Sequence, residues 1–288
     1  CLKIIGSGDR YMQHQGKYPV ISVTFKDMTH TNFNDAYEDF VRLMSDVFKQ
    51  HYYLLDSSKR IDIKEYTRIV EKQSTKVETM RALKTLTGYL FLHHGVRPWL
   101  LIDEYDTPII AAYNNDYYNE MIELMRGCFG AVLKTNDDLE KAVITGILRI
   151  AKESLFSGVN NLKVYSILHP RYSEYFGYTE TEVNTILAKS NLSKKRPEIK
   201  SWYNGYQFGD TTIYNPWSIA NCIQEQGDTK PYWVNTSENQ LIKDLLKRSP
   251  LAFKAEFERL MQGHTTEQVI DENMVFGDLD KNPAAAWS

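Results

Sequence analysis

The chain has 288 residues, 42% of them apolar and 25% charged, enough for one large or two smaller domains with ample core. A net charge of −3 gives no global electrostatic case for nucleic acid or an anionic membrane, and no apolar run approaches the roughly 18 residues of a membrane span. Cys1, Cys128 and Cys222 are widely spaced and form no CxxC pair, which argues against a zinc knuckle or disulfide framework and for a reducing, cytoplasmic setting.

Residues 1–17 read as the end of a helix and a glycine-punctuated loop. Gly6-Ser7-Gly8-Asp9 is the nearest thing to a phosphate loop, but no Gly-Lys-Ser/Thr follows it. Gly16-Lys17-Tyr18 puts a tyrosine where the magnesium-binding hydroxyl belongs, so a Walker A pattern is absent from the sequence. Tyr18–Phe25 is β-branched and apolar and reads as a strand. Asn32–Gln50 follows as an amphipathic helix, and two more helices fit Ile63–Lys72 and Lys76–His94, where His93 and His94 are expected on different faces. Trp99–Asp103 is a second strand, and a strand, helical crossover and strand in that order indicate a parallel unit.

Beyond Pro108, Asp116–Leu133 is helical, Lys141–Ile147 is a third buried strand, and Leu162–Ile167 makes a fourth. From Tyr172 the texture changes. A Thr-x-x-Glu capping box, Thr179 with Glu182, opens a short helix over Thr179–Ser190. The remainder reads as helical and aromatic-rich, with a turn at Asn204-Gly205, a helix start at Asn215-Pro216 and a weak strand signal near Val269–Phe276. The expected fold class is therefore α/β: a parallel-sheet core over 1–170 and a small, mostly helical domain over 171–288. Both ends, Cys1 without a Met and Ala286-Trp287-Ser288, read as cut from something longer.

The chemistry concentrates after Trp99–Asp103. An apolar run that ends in Asp103-Glu104 resembles a buried strand with its polar residues held to the C-terminal end, where ligands of open α/β sheets bind. Two carboxylates there suit one acid to hold Mg²⁺ and a second to orient or activate water, which is the logic of a Walker B strand. The competing reading is a strand that merely meets water. Thr145 ends the next strand, where its hydroxyl can reach the attacking water or a γ-phosphate, or simply satisfy strand-end backbone. Arg149, four residues on, can stabilise charge on a transferring phosphoryl group or pair with Glu153 on a helix face. Asp106 fits an N-cap before Thr107-Pro108. Lys194-Lys195-Arg196 reads as solvated, and the Trp202–Trp217 aromatics as packing rather than base stacking.

Read together, Leu101-Ile102-Asp103-Glu104-Tyr105-Asp106-Thr107-Pro108-Ile109, Thr145–Ser154, Trp202–Tyr206 and Tyr214–Ser218 resemble the predicted AAA-ATPase-like family. The resemblance implies a P-loop NTPase core that uses ATP and Mg²⁺, followed by a helical lid or winged-helix-like domain. Asp103 then carries over onto the metal role, Glu104 onto the water-activating role, Thr145 onto the sensor and Arg149 onto a possible finger. Family members begin with a strand and a Gly-x-x-x-x-Gly-Lys-Ser/Thr loop and commonly carry a C-terminal PD-(D/E)XK nuclease domain. Neither is in this chain, so it alone is expected to bind ATP weakly or not at all. The other reading is a degenerate ATPase that serves as a binding module for a protein partner.

Overall fold

The computed structural model describes residues 3–56, 61–147, 155, 156, 159, 162–233, 243, 246, 247, 249–268 and 270. The chain divides into two compact units, 1–160 with 244–288, and 161–243.

The first unit opens with a 3-10 turn, Lys3–Ser7, and a one-turn helix α1, Asp9–Met12. Strand β1, Val20–Thr24, is followed by helices α2 (Phe33–Lys49), α3 (Ile63–Val70) and α4 (Lys76–His94). Each start is capped as its sequence dictates. The side chains of Asn32, Asp62 and Thr75 accept the amides of Asp35, Glu65 and Glu78, and Glu78 reaches back to Thr75 to close a capping box. Gly95, at φ 70°, ends α4 in the left-handed conformation that glycine adopts without strain. Strand β2 is Trp99–Asp103, followed by α5 (Thr107–Asn114), α6 (Tyr118–Leu133) and strand β3, Lys141–Ile144. His93 and His94 do not diverge as expected: both rings meet the Tyr53 ring, at 5.4 and 5.8 Å.

The three strands form a parallel sheet in the order β1-β2-β3. The register pairs Ser22 with Leu101 and Leu101 with Val143. Alternation along each strand sends Ile21, Val23, Leu100 and Ile102 into the core, where α2 packs on β1 and on α4, and α4 packs on α6. Phe40, Met44, Leu83, Leu86, Met125 and Phe129 complete that buried layer. The opposite face differs from a usual parallel sheet, which helices cover on both sides. Val20, Leu101 and Val143 are 45, 37 and 47% exposed there.

The second unit carries an antiparallel sheet in the order β4-β6-β5, from Tyr178–Thr179, Thr211–Tyr214 and Asn204–Phe208. Helices α7 (Glu180–Lys189), α8 (Arg196–Tyr203) and α9 (Pro216–Gln224) close over a core of Val183, Leu187, Ile199, Tyr203, Tyr214, Ile219 and Cys222. The Thr179–Glu182 capping box is present. The hairpin adds a small sheet to the helices expected in this part. Asn204-Gly205 is no turn: the irregularity there is a shift of register inside β5, and the chain reverses at Gly209-Asp210.

Leu162–Ile167 is not a strand either. Residues 162–166 are irregular and a turn follows at 167–168, with the Tyr165 ring packed against His169 and Tyr172. Apolar, β-branched composition does not make a strand where no neighbouring strand accepts it. Among the described residues the last helix, α10, spans Leu251–Met261, and Val269–Phe276 lies outside the described residues apart from Ile270. Among the described residues, no helix is long and apolar enough to cross a membrane.

Candidate functional site

At the C-terminal edge of the parallel sheet, the exposed face ends in a polar row. Thr24 pairs in register with Asp103, and the Thr145 amide donates to the Ile102 carbonyl at 2.8 Å, which carries the ladder one residue past β3. Thr24, Asp103 and Thr145 therefore lie side by side on three neighbouring strands, and all three are exposed. The Thr145 hydroxyl donates to Asp103 Oδ1 at 2.5 Å, a short bond of the charge-assisted kind. Sequence reasoning picked out Asp103 and Thr145 and missed Thr24. The signal for Thr24 was the in-out alternation of Val20–Thr24, which puts it on the face of Ser22.

Glu104 takes φ 52°, a left-handed conformation that costs a residue with a Cβ roughly 1–3 kcal/mol. That reversal lets Tyr105 and Asp106 both turn inward, at 7 and 1% exposure, while Glu104 stays half-buried at the rim. The Thr107 amide donates to the Glu104 carbonyl at 3.2 Å, and its hydroxyl lies 3.3 Å from Glu104 Oε2. Pro108 then fits the first turn of α5, where a missing N–H costs nothing.

Asp106 stands at the N-cap position without acting as a cap. Its side chain makes no cap hydrogen bond, and Oδ2 instead accepts the amide of Ile147 at 2.9 Å. Gly146 is a glycine for a steric reason. A Cβ there would lie 2.6 Å from Asp106 Oδ1 and 2.7 Å from the Tyr105 ring. The Tyr105 ring meets Phe156 at 5.5 Å, and Phe156 stacks on Phe129 at 5.9 Å. Arg149 lies outside the described residues.

Among the described residues, no group of three or more His, Cys, Asp or Glu side chains is placed to hold a metal ion. Asp103 thus offers one carboxylate. Magnesium is often held that way, with waters and phosphate oxygens completing its shell. Two cavities lie elsewhere, on the helical layer. One of about 680 Å³ is lined by Glu65, Arg81, Lys84 and Tyr89 among others, and one of about 380 Å³ by Met80, Arg81, Gly127 and Lys134 among others. Neither touches the strand-end row, and the edge chemistry is the stronger guide to function than cavity size.

In the second unit the aromatic block is split. Tyr203 and Tyr214 are buried, whereas Trp202, Tyr206 and Trp217 are about half exposed. The Tyr214 hydroxyl bonds to Glu180, which together with Arg196 and Lys200 holds that carboxyl below its ordinary range. The basic run is therefore not merely solvated. Arg196 pairs with Glu180 at 2.9 Å, and Lys195 Nζ donates to the Gly227 carbonyl at 3.0 Å.

Residues 3–156, more than half of the chain, match the family described as Predicted AAA-ATPase. The chain belongs to that family. A relative from Azotobacter chroococcum mcd 1, named as an uncharacterized protein in the vnfD 5′ region, is 33% identical over 168 residues. Those residues are 58% of this chain and 32% of the relative, so the match spans about a third of the relative's length. No solved structure matches this predicted AAA-ATPase.

Proposed function

We propose that this chain carries the Walker B and sensor half of a Mg²⁺-dependent ATP-hydrolysing site, at the edge formed by Thr24, Asp103, Glu104 and Thr145. One observation carries the reading. The Asp103 carboxylate and the Thr145 hydroxyl meet at 2.5 Å across neighbouring parallel strands, at the sheet edge where α/β proteins bind ligands.

Asp103 is exposed and oriented by a hydroxyl, as a carboxylate that ligates magnesium directly or through water must be. Magnesium, when bound, offsets the charge on the transferring phosphoryl group. Glu104, held at the rim by the left-handed turn, is the group that orients the attacking water and takes up its proton. Thr145 fixes the Asp103 carboxylate from the neighbouring strand and is the sensor. In this reading Arg149 is the finger that meets the transferring group.

The grip on the phosphates, made in P-loop enzymes by glycine-rich backbone amides and a lysine, comes from polypeptide outside these 288 residues. The exposed sheet face with Val20, Leu101 and Val143 supports that view, because parallel sheets are as a rule covered on both faces and no described element covers this one. ATP hydrolysis by the full-length polypeptide and by its Glu104→Gln form is the test. The proposal expects a loss of roughly 10²–10⁴-fold in rate with nucleotide affinity retained. Equal rates would remove Glu104 from the mechanism.

A further inference from the structure

Carboxylates are seldom fully buried, and Asp106 is 1% exposed in a position where helix capping explains nothing about it. What its side chain does is reach across to the next strand. The chain leaving β3 is tied to β2 by the Thr145 amide on the Ile102 carbonyl at 2.8 Å and the Tyr105 amide on the Thr145 carbonyl at 3.2 Å. The Thr145 hydroxyl on Asp103 and the Ile147 amide on Asp106 Oδ2 add two more ties. On its other side, β3 pairs with no strand among the described residues. The Ile147 side chain, 87% exposed, packs on little. The last tie therefore rests on Asp106. A bond from an amide to a carboxylate is about twice as strong as one between neutral groups.

Gly146 makes the tie tight. With no Cβ, it lets Asp106 Oδ1 and the Tyr105 ring come to within 2.6 and 2.7 Å of where that atom would stand. Thr145 therefore lies between Ile144, paired in register with Ile102, and the segment Gly146-Ile147, whose Ile147 amide is held by Asp106. We propose that Asp106 is a positioning residue: its buried carboxylate clamps the chain leaving β3 and so holds the Thr145 hydroxyl on Asp103. The purpose assigned to this clamp rests on the ATPase reading, while the clamp itself does not.

The test reads the Thr145 side-chain rotamer by three-bond couplings to its γ-methyl, without nucleotide, in wild type, Asp106→Ala and Asp106→Asn. Wild type is expected to hold one rotamer. Asp106→Ala should average between rotamers and speed amide exchange at Ile147 at least tenfold, while the amides that join β1 to β2 keep their protection. Asp106→Asn keeps a carbonyl acceptor and should restore both. Gly146→Ala, which displaces the carboxylate without removing it, should resemble Asp106→Ala and serves if that variant does not fold.

In the full-length polypeptide, Asp106→Ala should lower kcat at least tenfold with KM within threefold. A single Thr145 rotamer retained in Asp106→Ala would overturn the clamp, and a released rotamer with kcat unchanged would overturn the catalytic purpose assigned to it. Absence of hydrolysis in the wild-type polypeptide would defeat the ATPase reading alone and leave the rotamer comparison standing.

Discussion

Adding one methyl group at Gly146 should cost more than most core substitutions of that size. The backbone there is not in the left-handed region, so alanine is conformationally allowed and only crowding is at issue. The new Cβ would lie 2.6 Å from Asp106 Oδ1 and 2.7 and 2.8 Å from two Tyr105 ring carbons. Ordinary contacts are about 3.5–4.0 Å, so the neighbours must retreat by roughly 1 Å. Neither can do so freely: Asp106 is buried, and the Tyr105 ring is backed by Phe156 and then Phe129.

Overpacking of this kind costs about 1–3 kcal/mol. If Asp106 gives way, the Ile147 amide loses its acceptor, for about 1–3 kcal/mol more. Against this, alanine restricts the unfolded chain and returns about 0.4–1 kcal/mol. The net expectation is a loss of about 1–5 kcal/mol, with the middle of that range near 3 kcal/mol, or roughly 5–15 °C in the melting temperature of a unit this size. Urea unfolding followed by far-UV circular dichroism measures it. A stability within about 0.5 kcal/mol of wild type would refute the close approach on which the strand-end geometry depends.

Glu104→Gly should leave stability within about 1 kcal/mol of wild type or raise it, because glycine relieves the left-handed strain, whereas Glu104→Val should lower it. Denaturant midpoints of the two variants decide, and a loss in the glycine variant as large as in the valine one would count against the turn. His51 is almost fully buried, and its imidazole is pushed below its ordinary value by burial and then by His94. The unfolded chain therefore takes up that proton more readily than the folded one. Its contribution to stability is complete above about pH 6.5 and is lost as pH falls through that value toward the folded pKa. Midpoints at pH 7.5 and 5.5 should differ by less in His51→Gln than in wild type, and an unaltered difference would contradict the shift. Thr179→Ala removes half of a capping box and should destabilise the second unit by about 1 kcal/mol, read by amide exchange in α7. Unchanged exchange there would show the cap to be unimportant.

The first unit was legible because its elements carry local signals. Capping residues at Asn32, Asp62 and Thr75 mark helix starts, and the apolar spacing of Phe33–Lys49 and Tyr118–Leu133 matches their buried faces. Asp103-Glu104 and Thr145 stood out as polar ends of apolar strands, and adjacency in the sheet brings Asp103 and Thr145 together. The second unit was less legible, for two reasons. Asn204-Gly205 is a strong turn signal that a register irregularity absorbed, which hid the hairpin. Leu162–Ile167 has strand composition, but its neighbours are rings and a turn rather than another strand. Asp106 was misread because capping is a local rule, while its partner Ile147 lies 41 residues away in sequence.

The location of the site can be tested more directly than its rate. Mn²⁺ and ATP added to the full-length polypeptide should broaden the amide resonances of Asp103, Glu104 and Thr145 first, and Asp103→Asn should abolish that broadening. Broadening centred instead on Arg81 and Lys84, beside the cavities of the helical layer, would contradict the assignment of the strand-end row as the nucleotide site.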